Sequence, residues 1–263
     1  MADNQHTLAE TLRFEGIGLH TGESVILNVL PAPPGHGYIF CRTDLPGRPL
    51  IPADAHLVVS TDRGTTLEKD GIRIHTTEHL LAALYGCGID NALIELSGQE
   101  LPILDGSSRI YVEGIEKAGT KDQGDPRDYL VIKEPVYFKD EKNGIELKAV
   151  PADDFRVDVT VDYGREVLGT QEANLAQLSD FSREIAGCRT FCFFSEIEVL
   201  AKRNLIKGGD LDNAIVLMDR DDVAQEEIEA LGKLLEKELK IKPNGLGVLN
   251  CELHFDNEPA RHK

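Results

Sequence analysis

The segment from Gly119 to Arg127 constrains the fold of this chain most strongly. Its sequence, GTKDQGDPR, contains no apolar side chain and includes two glycines and a proline, so it offers nothing to a hydrophobic core. Such a break is typical of a domain boundary, and a chain of 263 residues exceeds the roughly 100 to 200 expected of one domain. We therefore predict a first domain over 1–119, a linker over 120–127 and a second domain over 128–263, with the chemistry in the groove between them.

Each half of the chain begins with strand patterns and continues into helices. Over residues 7–67, apolar and polar side chains alternate between glycine and proline turns, which indicates β-strands. The stretch TTEHLLAALYGCG then predicts a short helix that a glycine ends. The second half repeats this order, with two strands joined at Asn143-Gly144 and a helix over about 195–206.

The charge and the termini of the chain limit its partners. Lys and Arg number 28 against 46 Asp and Glu, so the formal net charge is −18, and nucleic acid or an anionic membrane surface would be repelled. An anionic substrate would need local positive charge from a metal or from a few basic side chains. The opening MADNQHTLAE lacks the features of a signal peptide, and no run of about 18 apolar residues predicts a transmembrane segment. We expect no nucleic-acid partner and a cytoplasmic location.

The strongest local motif is His75-Thr76-Thr77-Glu78-His79, which matches the H-x-x-E-H pattern of inverted zinc peptidases. In that pattern two histidines one helical turn apart hold zinc, and the glutamate activates water. Here IRIH is expected to end a strand and Thr76 to cap the following helix, so His75 and His79 do not share a helical face. We keep His79 as a metal ligand and Glu78 as the base. A zinc peptidase that uses His75, Glu78 and His79 stays an alternative, as does a structural glutamate at a helix start.

A second histidine lies in a matching context near the end of the sequence. The segment LGVLNCELHF predicts a strand, and DNEPARHK predicts the start of a helix with Pro259 in its first turn. His262 would stand on this helix as His79 stands on the earlier one. His254 lies within the predicted strand and is expected to be an ordinary packed residue.

Several motifs of the chain occur in the order of one known family. They are GIGLHTG (16–22), TTEHLLAAL (76–84), GIDNALIEL (88–96), PILDGSS (102–108), CRTFCF (188–193), GGDLDNAIV (208–216) and EPARHK (258–263). Over its whole length the sequence resembles the UDP-3-O-acyl-N-acetylglucosamine deacetylases of Gram-negative lipid A biosynthesis. The resemblance implies an α+β fold of two similar domains, each a sheet layered with helices, with the active site in the interdomain groove.

The same resemblance implies a zinc-dependent hydrolase that removes the N-acetyl group of UDP-3-O-acyl-N-acetylglucosamine and gives the free amine and acetate. Glu78 would be the base that activates water, and His79 and His262 would be two of the three protein ligands of zinc. Thr190 would help to stabilise the oxyanion, and Lys263 would contribute positive charge near the substrate. A catalytic zinc with one open position suits this chemistry.

The resemblance also implies a passage for the fatty acyl chain of the substrate, formed by an insert over about 191–217. Four residues match its lining, namely Phe191, Ile197, Leu211 and Ala214. His20 resembles a histidine that faces the groove. The structural alternatives are an ordinary core helix and strand for the insert, and a turn residue with a local hydrogen bond for His20. An amphipathic helix over about 223–239 resembles the members that are fused to an acyl-carrier-protein dehydratase, so a fused or associated dehydratase domain is an expected partner.

The sequence departs from the family pattern at its C-terminal end. The pattern places an aspartate, the third metal ligand, four residues after His262, and a histidine that serves as the acid further on, both past Lys263. We therefore expect a truncated second domain, weak zinc binding and little deacetylation by the 263-residue chain. A non-catalytic module that has kept the family fold is a further alternative.

Overall fold

Strands outnumber helices in the structure, a computed structural model that describes residues 3–203, 205–234 and 245–263. The described strands of the first half are β1 (Asn4–Leu8), β2 (Leu12–Ile17), β3 (Ser24–Pro31), β4 (Tyr38–Arg42), β5 (Leu50–Pro52), β6 (Val58–Ser60), β7 (Thr66–Lys69), β8 (Ile72–Ile74), β9 (Ala92–Leu96) and β10 (Thr120–Pro126). Those of the second half are β11 (Val136–Asp140), β12 (Ile145–Ala149), β13 (Val157–Asp162), β14 (Thr170–Leu175), β15 (Phe191–Phe193), β16 (Ile215–Met218) and β17 (Gly247–Val248). The described α-helices are α1 (Glu78–Gly86), α2 (Arg109–Ala118), α3 (Phe181–Glu184), α4 (Phe194–Lys202), α5 (Gln225–Leu234) and α6 (Glu258–His262).

The central sheet of the first half has five strands in the order β2-β3-β9-β4-β5. Strands β4 and β9 are parallel, and the other neighbours are antiparallel. Along β3 the side chains alternate, so that Val25, Leu27 and Val29 are buried and their neighbours are more exposed. The β-strands predicted within residues 7–67 are thus confirmed, for example in β3 and β4, and so is the mixed α+β character of the chain.

Helices α1 and α2 pack together with this sheet in the main hydrophobic core. Leu80 and Leu84 of α1 and Tyr111 and Ile115 of α2 are buried in one cluster with the inward side chains of β3 and β9. Burial of a side chain of this size contributes roughly 1.5–3 kcal/mol. The core therefore fixes the helix at whose first position Glu78 lies.

The segment that was expected to be a linker forms strand β10. It pairs antiparallel with β1, and Asn4 donates hydrogen bonds to the carboxylate of Asp122 across the pair. Backbone pairing needs no apolar side chain, and the side chains of β10 stay largely exposed. The segment predicted as a linker over 120–127 is thus a strand over 120–126, and its place at a boundary between two domains stays a prediction.

The second half contains separate small sheets in the part that the structure describes. Strand β11 pairs with β12 and β13 with β14 as antiparallel hairpins, and β15, β16 and β17 form a three-stranded sheet. The hairpin predicted around Asn143-Gly144 is confirmed, with Gly144 at a φ of 67°. These described strands do not copy the five-stranded sheet of the first half, so the similarity of the two predicted domains stays a prediction.

The region expected to be an insert folds as a β15–α4–β16 unit with α5 packed on it. Strands β15 and β16 are parallel neighbours, and Phe194 and Ile197 of α4 are buried with α5 in a second hydrophobic cluster. The helix predicted over 195–206 is confirmed in place but ends at Lys202. The helix predicted over 223–239 is α5 as far as it is described, and residues 235–239 lie outside the described residues. No described helix combines the length and the apolar character needed to cross a lipid bilayer.

The strand expected at LGVLNCELHF is much shorter in the structure, where β17 covers only Gly247–Val248. The reason lies in Asn250, whose side chain accepts a hydrogen bond from the backbone of Val216 and donates to the carbonyls of Leu211 and Ala214, in place of strand pairing. His254 therefore lies outside any described strand. The expectation that it is a packed residue is also corrected, because its side chain is 42% exposed and contacts the backbone carbonyl oxygen of Gly187 through Nδ1 at 2.8 Å.

Candidate active site

Glu78 and His79 are the first two residues of α1. The helix begins here because Thr76 has a left-handed backbone, with a φ of 58°, and Thr77 follows as the N-cap residue. We expected Thr76 to be the cap, and this is corrected, because its hydroxyl donates a 2.8 Å hydrogen bond to Glu100 instead. The positive end of the helix dipole favours a carboxylate at this position.

The carboxylate of Glu78 is fixed through one oxygen. Oε2 accepts a 2.8 Å hydrogen bond from the backbone N–H of Thr65, and Oε1 lies 3.9 Å from Nε2 of His79. The Glu78 side chain keeps 36% of its surface exposed, so water reaches it. A carboxylate that is held in this way beside an imidazole has the geometry of a general base.

The rings of His79 and His262 lie close together, with 5.4 Å between their centroids and an angle of 58° between their planes. Nδ1 of His262 is 3.0 Å from the carbonyl oxygen of Cys188. Because a carbonyl oxygen only accepts, Nδ1 carries the proton and Nε2 keeps its lone pair. Burial and then the neighbouring His79 lower the pKa of His262 to about 3, so its ring is neutral at pH 7.

This pair of imidazoles fits two ligand positions of a zinc ion. Zinc binds neutral imidazole nitrogen, and a zinc-binding histidine commonly donates its other N–H to a carbonyl, as His262 does. Within residues 3–203, 205–234 and 245–263, no group of three or more His, Cys, Asp or Glu side chains is arranged to hold a metal ion. The described residues therefore supply two imidazoles of a ligand set and not a complete one.

His75 contacts a neighbouring strand. Its Nδ1 lies 3.0 Å from the hydroxyl of Thr66, and its backbone N–H donates to the carbonyl of Gln99. Burial lowers the pKa of its ring. Among the described residues, the set of His75, Glu78 and His79 that a zinc peptidase would use is not arranged to hold a metal ion.

A buried ion pair holds α6, and with it His262, in place. Glu258 is fully buried, and its carboxylate accepts hydrogen bonds from Nε and Nη2 of Arg189 at 2.9 and 3.1 Å. It also accepts from the backbone N–H groups of Arg189 and His254 at 2.9 and 2.7 Å. Burial raises the pKa of Glu258, but these hydrogen bonds and the Arg189 charge outweigh burial and lower it. The pair ties α6 to the chain segment that carries Thr190.

Glu258→Gln is expected to lower the free energy of unfolding by roughly 3 kcal/mol at pH 7, because the Arg189 charge stays buried without its counterion. Urea denaturation followed by circular dichroism measures the change. Glu184→Gln is the matched control. Glu184 also binds α6, through Arg261, but it does so near the surface, where a pair contributes about 0–1 kcal/mol.

The stabilisation by Glu258 is expected to depend on pH. Because its pKa is lowered in the folded state, the contribution is present above the ordinary value of 4.5 and is lost as the pH falls below that value.

Equal losses of stability in the Glu258 and Glu184 variants at pH 7 would contradict the structural role of the buried pair.

A second buried carboxylate, which the sequence did not single out, organises the other side of the site. Glu100 is 2% exposed and accepts hydrogen bonds from the backbone N–H groups of His20 at 3.0 Å and Thr21 at 2.8 Å, and from the Thr76 hydroxyl. Gly18 packs against it, since a Cβ there would lie 2.4 Å from Oε2 of Glu100. Glu100 thus connects the loop of His20 with the start of α1.

His20 presents an unpaired ring nitrogen. Its Nε2 donates a 3.1 Å hydrogen bond to the carbonyl of Arg63, so Nδ1 is the acceptor. Nδ1 is buried and has no hydrogen-bond partner among the described residues. A buried acceptor of this kind costs stability unless water or a ligand supplies a donor. His20 is therefore suited to accept a hydrogen bond from a bound substrate.

Thr190 and Lys263 carry two further donor groups, and the charge of Lys263 interacts with the carboxylate of Glu78. The backbone N–H of Thr190 donates a 2.7 Å hydrogen bond to the carbonyl of Gly106, which fixes this residue against the PILDGSS turn. Nζ of Lys263 lies 5.3 Å from the centroid of the Phe191 ring. Burial lowers the pKa of Lys263, and the Glu78 carboxylate opposes this shift. A hydroxyl and an ammonium in these positions can stabilise a developing negative charge.

An apolar cavity adjoins these groups. The four residues that were expected to line an acyl passage all line it, namely Phe191, Ile197, Leu211 and Ala214. His20, Arg63 and Thr190 line the same cavity. A ligand chain in the cavity would therefore reach the groups that surround Glu78.

The family model described as "LpxC: UDP-3-O-acyl N-acetylglycosamine deacetylase" matches residues 5–231. This chain belongs to the LpxC family. The match covers α1, which carries Glu78 and His79, and ends before α6, which carries His262.

Relatives of the chain include LpxC proteins with and without a second activity. The bifunctional enzyme LpxC/FabZ of Chlorobaculum tepidum is 45% identical over 267 residues, which cover 100% of this chain and 57% of the relative. The UDP-3-O-acyl-N-acetylglucosamine deacetylase of an Anaeromyxobacter species is 44% identical over 99% of this chain and 76% of its own length. That of Thermosynechococcus vestitus is 36% identical over 100% of this chain and 82% of its own. The chain thus spans little more than half of the bifunctional relative.

Proposed function

We propose that this chain forms the deacetylase part of an enzyme of lipid A biosynthesis, which hydrolyses the N-acetyl group of UDP-3-O-acyl-N-acetylglucosamine with the help of zinc. One observation carries the proposal. His79 and His262, distant in the sequence, have ring centroids 5.4 Å apart, and Glu78 lies beside them. Membership of the LpxC family and relatives that are named as this deacetylase support it.

In the proposed reaction, Glu78 takes a proton from the water that attacks the acetyl carbonyl. The attack places a negative charge on the carbonyl oxygen, which the Thr190 hydroxyl and the Lys263 ammonium would stabilise. Zinc, held by His79 and His262 with a further ligand, would polarise the carbonyl and lower the pKa of water. The C–N bond then breaks, and the nitrogen leaves as an amine once it has gained a proton.

The substrate of this proposal has three chemical parts, and each has suitable residues in the structure. Arg63, which also pairs with Glu196, supplies local positive charge that suits the diphosphate in a chain whose net charge is −18. Nδ1 of His20 offers an acceptor to a hydroxyl or amide group of the sugar. The apolar cavity suits the acyl chain, with Phe191 and Ile197 in its lining.

A dehydratase activity is a second part of the proposal. Relatives named LpxC/FabZ from Chlorobaculum tepidum and Porphyromonas gingivalis are matched over 57% and 56% of their length. We infer from them that the protein at its full natural length carries, or associates with, a dehydratase domain. A cytoplasmic location belongs to the same proposal.

The proposal is tested by deacetylation of UDP-3-O-acyl-N-acetylglucosamine, followed by mass spectrometry, with the protein at its full natural length. Removal of zinc by a chelator is expected to lower the rate by at least about 100-fold, because the metal supplies several kcal/mol of transition-state stabilisation. Added zinc should restore the rate. UDP-N-acetylglucosamine without the acyl chain is the control and should react far more slowly.

Three results would count against the proposal. Full turnover by a preparation shown by elemental analysis to be free of metal would exclude the zinc-dependent reaction. Cleavage of peptides instead of the UDP-sugar would favour the peptidase alternative. Tight zinc binding without any hydrolysis would favour a non-catalytic module with the family fold.

A further inference from the structure

Helix α5 contributes a side chain to the wall of the apolar cavity. Leu231, which is 8% exposed, lines the cavity and also belongs to the second hydrophobic cluster. Ile228, one turn earlier, is fully buried in the same cluster but does not line the cavity. The two side chains have the same number of carbon atoms and therefore form a matched pair on one helix.

One part of the cavity lining is polar and another part is apolar. His20, Arg63 and Thr190 form a polar part of the lining. Phe194, Ile197, Val216 and Leu231 form an apolar part, and all four belong to the second hydrophobic cluster. An acyl chain whose ester end lies near the polar part would therefore extend among the side chains of this cluster, to which α5 contributes Leu231.

We propose that Leu231 closes the inner side of this passage and sets the longest acyl chain that the enzyme accepts. This inference rests on the proposed deacetylase function. Each methylene buried in an apolar passage improves binding by about fourfold. Once the end of the acyl chain contacts Leu231, a further methylene has to displace a packed side chain, and it then weakens binding instead of strengthening it.

Substitution of Leu231 is expected to shift the acyl-length preference in a direction that depends on side-chain size. Leu231→Ala removes three carbon atoms from the wall, so substrates two methylenes longer than the wild-type optimum should gain roughly tenfold in kcat/KM relative to that optimum. Leu231→Phe should shift the optimum to shorter chains. The measurement is kcat/KM for a series of UDP-3-O-acyl-N-acetylglucosamines of increasing acyl length, with the protein at its full natural length.

Ile228→Ala is the matched control, because it removes as much buried volume from α5 without opening the passage. It should lose stability and keep the wild-type length profile. Identical profiles for Leu231→Ala and Ile228→Ala would overturn the inference. If Leu231→Ala does not fold, as judged by its thermal transition, Leu231→Val and Leu231→Phe give the same test with smaller or opposite changes in volume.

The inference and the proposed function can fail separately. A wild-type enzyme that deacetylates none of the series refutes the proposed function. In that case, binding of free fatty acids of the same lengths, measured by calorimetry, decides the inference. An unchanged length dependence between wild type and Leu231→Ala in that assay would refute the role of Leu231 in the cavity.

Discussion

Glu78→Gln is expected to reduce kcat for deacetylation by about 10²–10⁴-fold, the usual contribution of a positioned general base. The variant keeps an oxygen that can accept the hydrogen bond from Thr65, so the start of α1 should stay intact. It loses the ability to take a proton from water. Steady-state kinetics with the acylated UDP-sugar measure the effect, and zinc content is determined on the same samples.

Glu113→Gln is the control for this loss, because Glu113 lies on the exposed side of α2, where Nε of Arg109 is 3.9 Å from its carboxylate. It should retain activity within a few-fold of wild type. A Glu78→Gln enzyme with near wild-type kcat and normal zinc content would show that Glu78 is a structural residue at a helix start, as the simplest interpretation of the sequence allows.

Loss of either imidazole of the pair is expected to weaken zinc binding by more than about 100-fold, since changes in the residues around metal ligands already cost 10–100-fold. The variants are His79→Ala and His262→Ala, and chelator competition measures the affinity. His75→Ala should bind zinc as wild type does. The opposite pattern, with loss at His75 and none at His262, is what the peptidase alternative requires.

Folding has to be checked in the same experiment, because His262 is half-buried and its Nδ1 bonds to the carbonyl of Cys188. Circular dichroism of the metal-free variants serves this purpose. His262→Asn is a second variant that keeps a donor for Cys188 while it removes the imidazole. Tight zinc binding by a folded His262→Asn protein would contradict the assignment of this ligand.

Local patterns in the sequence predicted those parts of the fold that depend on neighbouring residues. The alternation around Leu27 identified a strand, and Pro259 with its flanking residues identified the helix that carries His262. The sequence could not reveal β10, because a strand that is paired through its backbone and exposed on its side chains leaves no hydrophobic period. The strand around β17 was predicted too long, because the side chain of Asn250 bonds to the backbone of Val216 and Leu211 in place of strand pairing.

Sequence patterns did not predict the two carboxylates that position the candidate site, and the reason is a different one. Glu258 meets Arg189 across 69 positions, and Glu100 meets His20 across 80. Neither Glu258 nor Glu100 can be recognised as buried from its spacing or its residue type, since a glutamate in a chain with 46 acidic residues is usually solvated. The sequence and the family resemblance did predict candidate residues. His20, Thr190 and the four acyl-passage candidates line one cavity, and the rings of His79 and His262 lie close together, whereas the roles of these residues stay predictions.

The separation of the two imidazoles in the chain bears on how the protein is made. His79 leaves the ribosome 183 residues before His262. Until His262 has been made, the first histidine lacks this imidazole neighbour. Metal capture at the proposed zinc site would therefore be a late event in biogenesis, after the helix of His262 has docked through Glu258.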